Sequence, residues 1–351
     1  MALDSDDIHV ATAERIFSDR ADLQTVAHDR DGAYRASLWQ AVEENGLTIA
    51  MVPEEAGGVG LTLEEAFSLL RAAGRHAVSV PLAETMLANW ALAAAGLEIR
   101  EGVLVPLVPA PRGHLAIDAE GRVTGVCPEV PFGREAGAFV ALCDGPDGPV
   151  IALLDPAACR IEEGTALSYE PLDWVHVEGA PAMASAPAGT AAALPEMAAT
   201  ARANQIAGAL ERMLDATVQY AQDRRAFERP ISKFQAVQHL LARLGEECAA
   251  AVAAAGSAAD TLSRGETGDA LLLEVAAAKV RCGEAAEAAS GIAHQVHGAI
   301  GITREHALHR LTLNALAWRE DYGTEAHWAL KLGQLVSAGG ADALWPLLAS
   351  R

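Results

Sequence analysis

Between Ile206 and Cys248 the chain specifies a helix, breaks it, and specifies another. Ile206, Leu210, Met213, Leu214, Thr217 and Tyr220 recur at the spacing of one helical face. Pro230 stops any helix at its own position, because its ring removes the backbone N–H and clashes with the preceding turn. Val237, Leu240, Leu241, Leu244 and Cys248 then restart the same period. This pattern predicts a helical hairpin. Arg224 and Arg225 stand at its elbow in the last turn of the first helix, where the negative end of the helix dipole favours cations. Guanidinium forks match phosphate oxygens, so such an elbow suits an anion such as a diphosphate.

On either side of the hairpin the period changes twice. Helices are predicted near Ala11–Arg20, Tyr34–Asn45, Leu63–Gly74 and Leu82–Ala95, the last following Pro81 and stopping at Gly96. Between them Pro53–Leu61 is a glycine-rich loop. From residue 101 short β-type runs take over: Val103–Val108, His114–Asp118, Val123–Cys127, Ala138–Leu142, Val150–Leu154 and Trp174–Val177. Pro and Gly clusters separate them with the cadence of an antiparallel barrel or sandwich. The Ala/Pro-rich stretch 180–195 reads as a return linker. The helical period resumes at Pro195, breaks at Gly298–Thr303, and ends in a long helix from Thr324. Three domains follow: helical over 1–100, β over 101–190, and a helical bundle over 191–351.

Composition narrows the function. With 351 residues, 51% of them hydrophobic, the chain builds a large core without staples. Cys127, Cys143, Cys159, Cys248 and Cys282 are scattered and form no C-x-x-C pair, so they read as buried thiols. His294 and His297 lack carboxylate partners at metal-ligand spacing. A net charge of −21 argues against nucleic acid as a partner. The acidic start lacks the apolar run of a signal peptide, and no uncharged apolar stretch is long enough for a membrane span. A cytoplasmic location is expected. Any anionic cofactor needs a local basic patch within an acidic surface.

The elbow resembles the signature of the acyl-CoA dehydrogenase flavoprotein family: an aromatic, R-x-x-F-G, P-I, then F-Q-A-x-x-H-x-L-A. It stands here as Tyr220, Arg224, Phe227, Glu228, Pro230, Ile231, Phe234, Gln235, Ala236, His239, Leu241 and Ala242. A later family phrase, Q-x-x-G-x-x-G-[FI]-T-x-E-H-x-L-H, appears as Gln295, Gly298, Gly301, Ile302, Thr303, Glu305, His306, Leu308 and His309. An N-terminal phrase appears as Val52 to Leu61. The resemblance implies a mostly α fold with a β middle domain: a helical domain, a β-barrel and a four-helix bundle. It implies FAD as cofactor and an acyl-CoA thioester as substrate. The flavin would be shared between two chains of a homo-oligomer, or of a hetero-oligomer with a paralogous subunit, and an electron acceptor would be a further partner. In the family pattern Arg224 contacts the flavin diphosphate, and Phe227 and Gln235 lie near the adenosine end. Gln295 and Gly298 come from the neighbouring subunit. The middle segment from Val123 to Cys143 resembles a short branch of the family rich in subunits of two-gene, steroid-type dehydrogenases.

Two departures bear on chemistry. At the elbow, Ala226 and Glu228 replace the family's small polar residue and glycine, and a carboxylate there repels a diphosphate. The base that removes the α-proton is usually a glutamate in Y-E-G-T. This chain reads Asp321-Tyr322-Gly323-Thr324, which puts Tyr322 at that position. A phenol titrates at about pH 10 and is a poor base at neutral pH. A minority of the family places the base on the first bundle helix, where Ala198 stands, with Glu196 nearby but on another face. Two readings therefore stand side by side. One is an active dehydrogenase with Asp321, or Glu320, as a displaced base. The other is a non-catalytic subunit that completes the flavin site of a catalytic paralogue. Another flavin-dependent reaction on the same fold, such as oxygenation, is a third.

Overall fold

In a computed structural model, residues 8–23, 26, 32–109 and 112–349 are described. The acidic start, residues 1–7, lies outside the described residues. Helices form where the apolar spacing places them: α1 (Ile8–Arg20), α2 (Ala33–Glu44), α3 (Leu63–Arg75) and α4 (Leu82–Ala94). A reciprocal cap fixes the start of α3. Thr62 Oγ1 accepts from the Glu65 N–H (3.2 Å), and the Glu65 carboxylate accepts from the Thr62 N–H (2.8 Å). The glycine-rich loop folds back on the chain before it, with Gly60 N–H on Val52 O (2.8 Å) and Leu61 N–H on Ala50 O (3.1 Å).

Eight strands follow: β1 (Leu104–Leu107), β2 (His114–Ile117), β3 (Arg122–Pro131), β4 (Ala138–Gly145), β5 (Gly148–Leu154), β6 (Cys159–Glu162), β7 (Leu172–Pro181) and β8 (Ala184–Pro187). They form one sheet in the order β6-β7-β3-β2-β4-β5-β8, with β1 on β4. The pairing is antiparallel except for β1–β4 and a single β2–β4 pair, which are parallel. Val105, Leu107, Leu115, Phe139, Leu154, Val175 and Val177 form its core. β8 occupies part of the stretch read as a return linker. Both unexpected strands, β6 and β8, are short, with no fully buried residue.

The rest is helical: α5 (Leu194–Asp223), α6 (Gln235–Ser263), α7 (Gly268–His297), α8 (Leu308–Trp318), α9 (Glu325–Gly339) and α10 (Ala341–Ala349). The buried stripe of α6 runs Leu244, Cys248, Ala251, Ala255, Ala258 and Leu262, and its small residues let α7 approach closely. Closer still is the crossing of α3 with α5. A Cβ on Gly74 would stand 2.0 Å from Gln205 O, and one on Gly208 would stand 1.9 Å from Arg71 O, so glycine alone fits.

Contacts divide the chain into two compact units. One holds the described residues up to Tyr34, Phe67–Val78 and the chain from Ala199 onward; the other holds Arg35–Ala66 and Ser79–Ala198. The fold class is the expected one, mostly α with a β middle domain.

Candidate functional site

The elbow is more ordered than a polar break. After α5 ends, Arg225–Ala226 pairs with Arg229–Pro230 as a minimal antiparallel ladder. Phe227 (φ 49) and Glu228 (φ 64) form its two-residue turn. Both are left-handed, as a type I′ turn requires. The glycine that the family pattern carries at position 228 would take this conformation without strain, whereas Glu228 does not. The Arg225 guanidinium donates to Glu228 O (2.5 Å), and that of Arg229 lies 4.2 Å from the centroid of Phe234. Phe227 is 89% exposed and meets Phe234 edge-on at 6.2 Å. Gln235 then opens α6 and faces solvent.

Arg224, Arg225, Arg229 and Lys233 lie within this elbow, and none of them pairs with a carboxylate among the described residues. On so acidic a chain, cations left without acids point to an exogenous anion. Arg224 and Arg225 were visible in the sequence. Arg229 and Lys233 join them only in the fold, though the four-residue steps from Arg225 to Arg229 to Lys233 carry the signal in the sequence.

At the end of α7, Gln295 and Gly298 also face solvent. Gly298 has φ 67, and no atom of the described residues lies within 4 Å of the Cβ it lacks, which leaves room for a ligand to approach the backbone. The elbow helix and this end are tied together by Tyr220. Its ring stacks on His297 at 4.3 Å, and its hydroxyl donates to His297 O (3.2 Å). The arrangement fits a diphosphate-bearing group, with the carboxylates of Glu228 and Asp223 as opposing charges.

The loop between α8 and α9 holds the candidate base. Asp321 is buried, and its Oδ2 accepts from Arg202 Nε at 2.8 Å. Arg202, from α5, is 2% exposed; it also donates to Gln205 Oε1 (2.6 Å) and lies 5.3 Å from the centroid of the Tyr322 ring. A second buried cation comes from α7. Lys279 Nζ donates to Trp318 O (3.2 Å) and Arg319 O (2.7 Å), capping α8. Burial lowers its pKa to about 8, opposed by the charges of Asp321 and Glu325. Tyr322 has φ 55, and its carbonyl accepts from Trp328 Nε1 (3.1 Å). Glu320 is half exposed and lies 3.6 Å from Arg319 Nε. Ala198 is fully buried.

In the β unit, Val130 and Pro131 close β3. The turn after them is stapled by the fully buried Asp173, which accepts from Arg134 N (2.7 Å), Arg134 Nε (3.0 Å) and Gly164 N (3.0 Å).

Residues 6–108 match the acyl-CoA dehydrogenase N-terminal domain, and residues 190–330 match the acyl-CoA dehydrogenase C-terminal domain. The acyl-CoA dehydrogenase IpdE2 of Mycobacterium tuberculosis (strain ATCC 25618 / H37Rv) is 30% identical over 284 residues, 80% of each chain. This chain belongs to the acyl-CoA dehydrogenase family. Among solved structures, the Tcur3481-Tcur3483 steroid ACAD G363A variant is 27% identical with a TM-score of 0.82, covering 94% of this chain and 97% of that one. The ChsE4-ChsE5 complex from Mycobacterium tuberculosis, 23% identical, shares the fold with a TM-score of 0.86 over 97% of this chain and 99% of that one. This acyl-CoA dehydrogenase-family chain is thus related to subunits of steroid-type dehydrogenases. No helix among its described residues is long and apolar enough to cross a membrane.

Proposed function

We propose that this chain is one subunit of a hetero-oligomeric, FAD-dependent acyl-CoA dehydrogenase acting on a bulky, steroid-derived acyl-CoA, and that a paralogous subunit supplies the base. One observation carries the reading. Tyr322 stands where the family pattern has its glutamate, and the adjacent carboxylate, Asp321, is committed to Arg202 inside the bundle. A base must reach the α-carbon and accept a proton. Asp321 would have to leave a buried guanidinium to do so, stranding that charge. Arg202 would also hold down the proton affinity of any carboxylate placed at 322.

Arg224, with Arg225, Arg229 and Lys233 around it, would hold the diphosphate. Phe227 and Gln235 would meet the adenosine end, and Gln295 and Gly298 would complete the site of a neighbouring subunit. FAD, when bound, accepts the hydride from the β-carbon of the thioester. The steroid-type relatives support the bulky substrate, and the paired assemblies among them support the unlike partner.

The test is dehydrogenation of a steroid side-chain CoA thioester with an artificial electron acceptor. Turnover is expected when the chain is mixed with its paralogue and absent from either chain alone. Robust turnover by the isolated chain would reject the reading.

A further inference from the structure

Four imidazoles crowd the junction between α7 and α8, and the hydrogen bonds fix which nitrogen of each carries its proton. His297 Nδ1 donates to Ala293 O (2.9 Å), so its Nε2 is bare; that atom is buried and meets no hydrogen-bond partner among the described residues. Thr312 Oγ1 spends its single proton on His309 O (3.1 Å), so in the 3.1 Å contact of His294 Nε2 with Thr312 Oγ1 the imidazole donates. Its Nδ1 is therefore bare and buried, without a partner among the described residues. His306 Nδ1 accepts from the Leu308 N–H (3.1 Å), and His309 Nδ1 donates to His306 O (2.8 Å). An added proton has no good place on three of these rings. On His297 or His294 it makes a buried N–H with no acceptor, and on His306 it breaks the bond from Leu308.

These rings are also mechanical. Tyr220 of α5 stacks on His297, and His306 meets both edge-on, at 4.8 Å from His297 and 6.3 Å from Tyr220. The stack joins the helix that ends just before Arg224 to the helix end that carries Gln295 and Gly298. The surroundings offer little relief for new positive charge. From α5, Arg212, Asp215 and Asp223 line a hollow of about 420 Å³ with Tyr220 and His306. Asp215 is tied to Arg75 (3.3 Å), and Asp223 accepts from Gln219 (2.9 Å). From α8 come His309 and Arg310, and the loop itself adds Arg304 and Glu305.

We infer that the Tyr220–His297–His306 stack is an acid-sensitive latch that keeps Gln295 and Gly298 in register with the arginine elbow and opens when its imidazoles become charged. Burial first, and neighbouring imidazoles second, hold His294 and His306 below the ordinary histidine range; His297 is lowered by the same causes, against a smaller upward pull from Ala293 O. The sign follows. These groups are neutral when folded, so the latch is fully closed above the unfolded histidine value of about 6.5 and weakens as pH falls through the lower folded values. Only its consequence for flavin rests on the function proposed above.

The test needs no flavin. Amide-exchange protection of residues 295–303 is measured on the purified chain at about pH 7.5 and about pH 5.5, with imidazole ¹⁵N spectra reporting tautomers. Wild type should lose at least about tenfold in protection between those two conditions. His297→Phe keeps a ring for Tyr220 and removes the titration, so its loss should be clearly smaller; His306→Phe serves if His297→Phe does not fold. Protection that is indifferent to pH, or that falls in parallel in wild type and variants, overturns the latch, as does a His297 with its proton on Nε2. If the latch behaves as inferred but flavin retention ignores the same pH window, the latch stands and the flavin roles of Gln295 and Gly298 fail.

Discussion

Asp321→Asn separates a positioning carboxylate from a catalytic one. The pair it breaks is almost fully desolvated, with Arg202 at 2% and Asp321 at 6% exposure and 2.8 Å between Nε and Oδ2. Removing one partner of such a pair typically costs about 3–5 kcal/mol, because a charge is left buried without compensation. The amide oxygen of asparagine still accepts from Nε, which places this variant at the lower end, about 3 kcal/mol. Lys279 loses at the same time the negative charge that most favours its ammonium form, which adds to the cost. Replacing both partners with apolar groups, Arg202→Met with Asp321→Leu, strands no guanidinium and should cost less than Asp321→Asn alone. Thermal and urea unfolding measure this. A catalytic Asp321 predicts the opposite pattern: wild type active by itself, the variant close to wild type in stability, and turnover down about a hundredfold or more. That pattern would refute the positioning role.

Arg224→Ala should lower flavin affinity by about ten- to a hundredfold, the loss of a charge-assisted contact of roughly 1.5–3 kcal/mol, with little change in melting temperature because the side chain is exposed; a fluorescence titration reads it. Glu228→Gly relieves a left-handed glutamate in the hairpin turn and removes a carboxylate from the basic elbow, so it should stabilise by about 1 kcal/mol and tighten flavin binding. Gly208→Ala puts a Cβ 1.9 Å from a backbone oxygen and should destabilise by about 3 kcal/mol or more in urea unfolding. Lys279 is charged when folded only below about pH 8, against 10.5 when unfolded. The unfolded chain therefore binds the extra proton between these values, and stability should rise with pH across that window by roughly 3 kcal/mol relative to Lys279→Met. Parallel pH profiles for the two proteins would show that the amine carries no such linkage.

Much of this was legible in the residues, for identifiable reasons. Helices such as Leu82–Ala94 and strands such as Gly148–Leu154 carry strong periods, and the structure places them within a few residues of expectation. β6 and β8 escaped notice because Cys159–Glu162 and Ala184–Pro187 are short edge strands whose residues are only partly covered. The hairpin at 225–230 was hidden because its turn holds Phe and Glu where Asn-Gly would announce it. The elbow arginines could be read, since local spacing and helix polarity carry their meaning. The Arg202–Asp321 pair could not. Its partners lie 119 residues apart, on a helix rich in alanine where nothing marks the buried face and in a loop where an acid looks solvated.

The central claim is that this chain offers no base of its own. The most direct measurement is anaerobic flavin reduction: the chain is loaded with FAD, a steroid side-chain CoA thioester is added, and the visible flavin band is followed through a single turnover, which removes any dependence on an electron acceptor. The band should persist with the chain alone and bleach once the paralogous subunit is added. Bleaching by the chain alone would contradict the claim and return the search for a base to Asp321, Glu320 and Glu196.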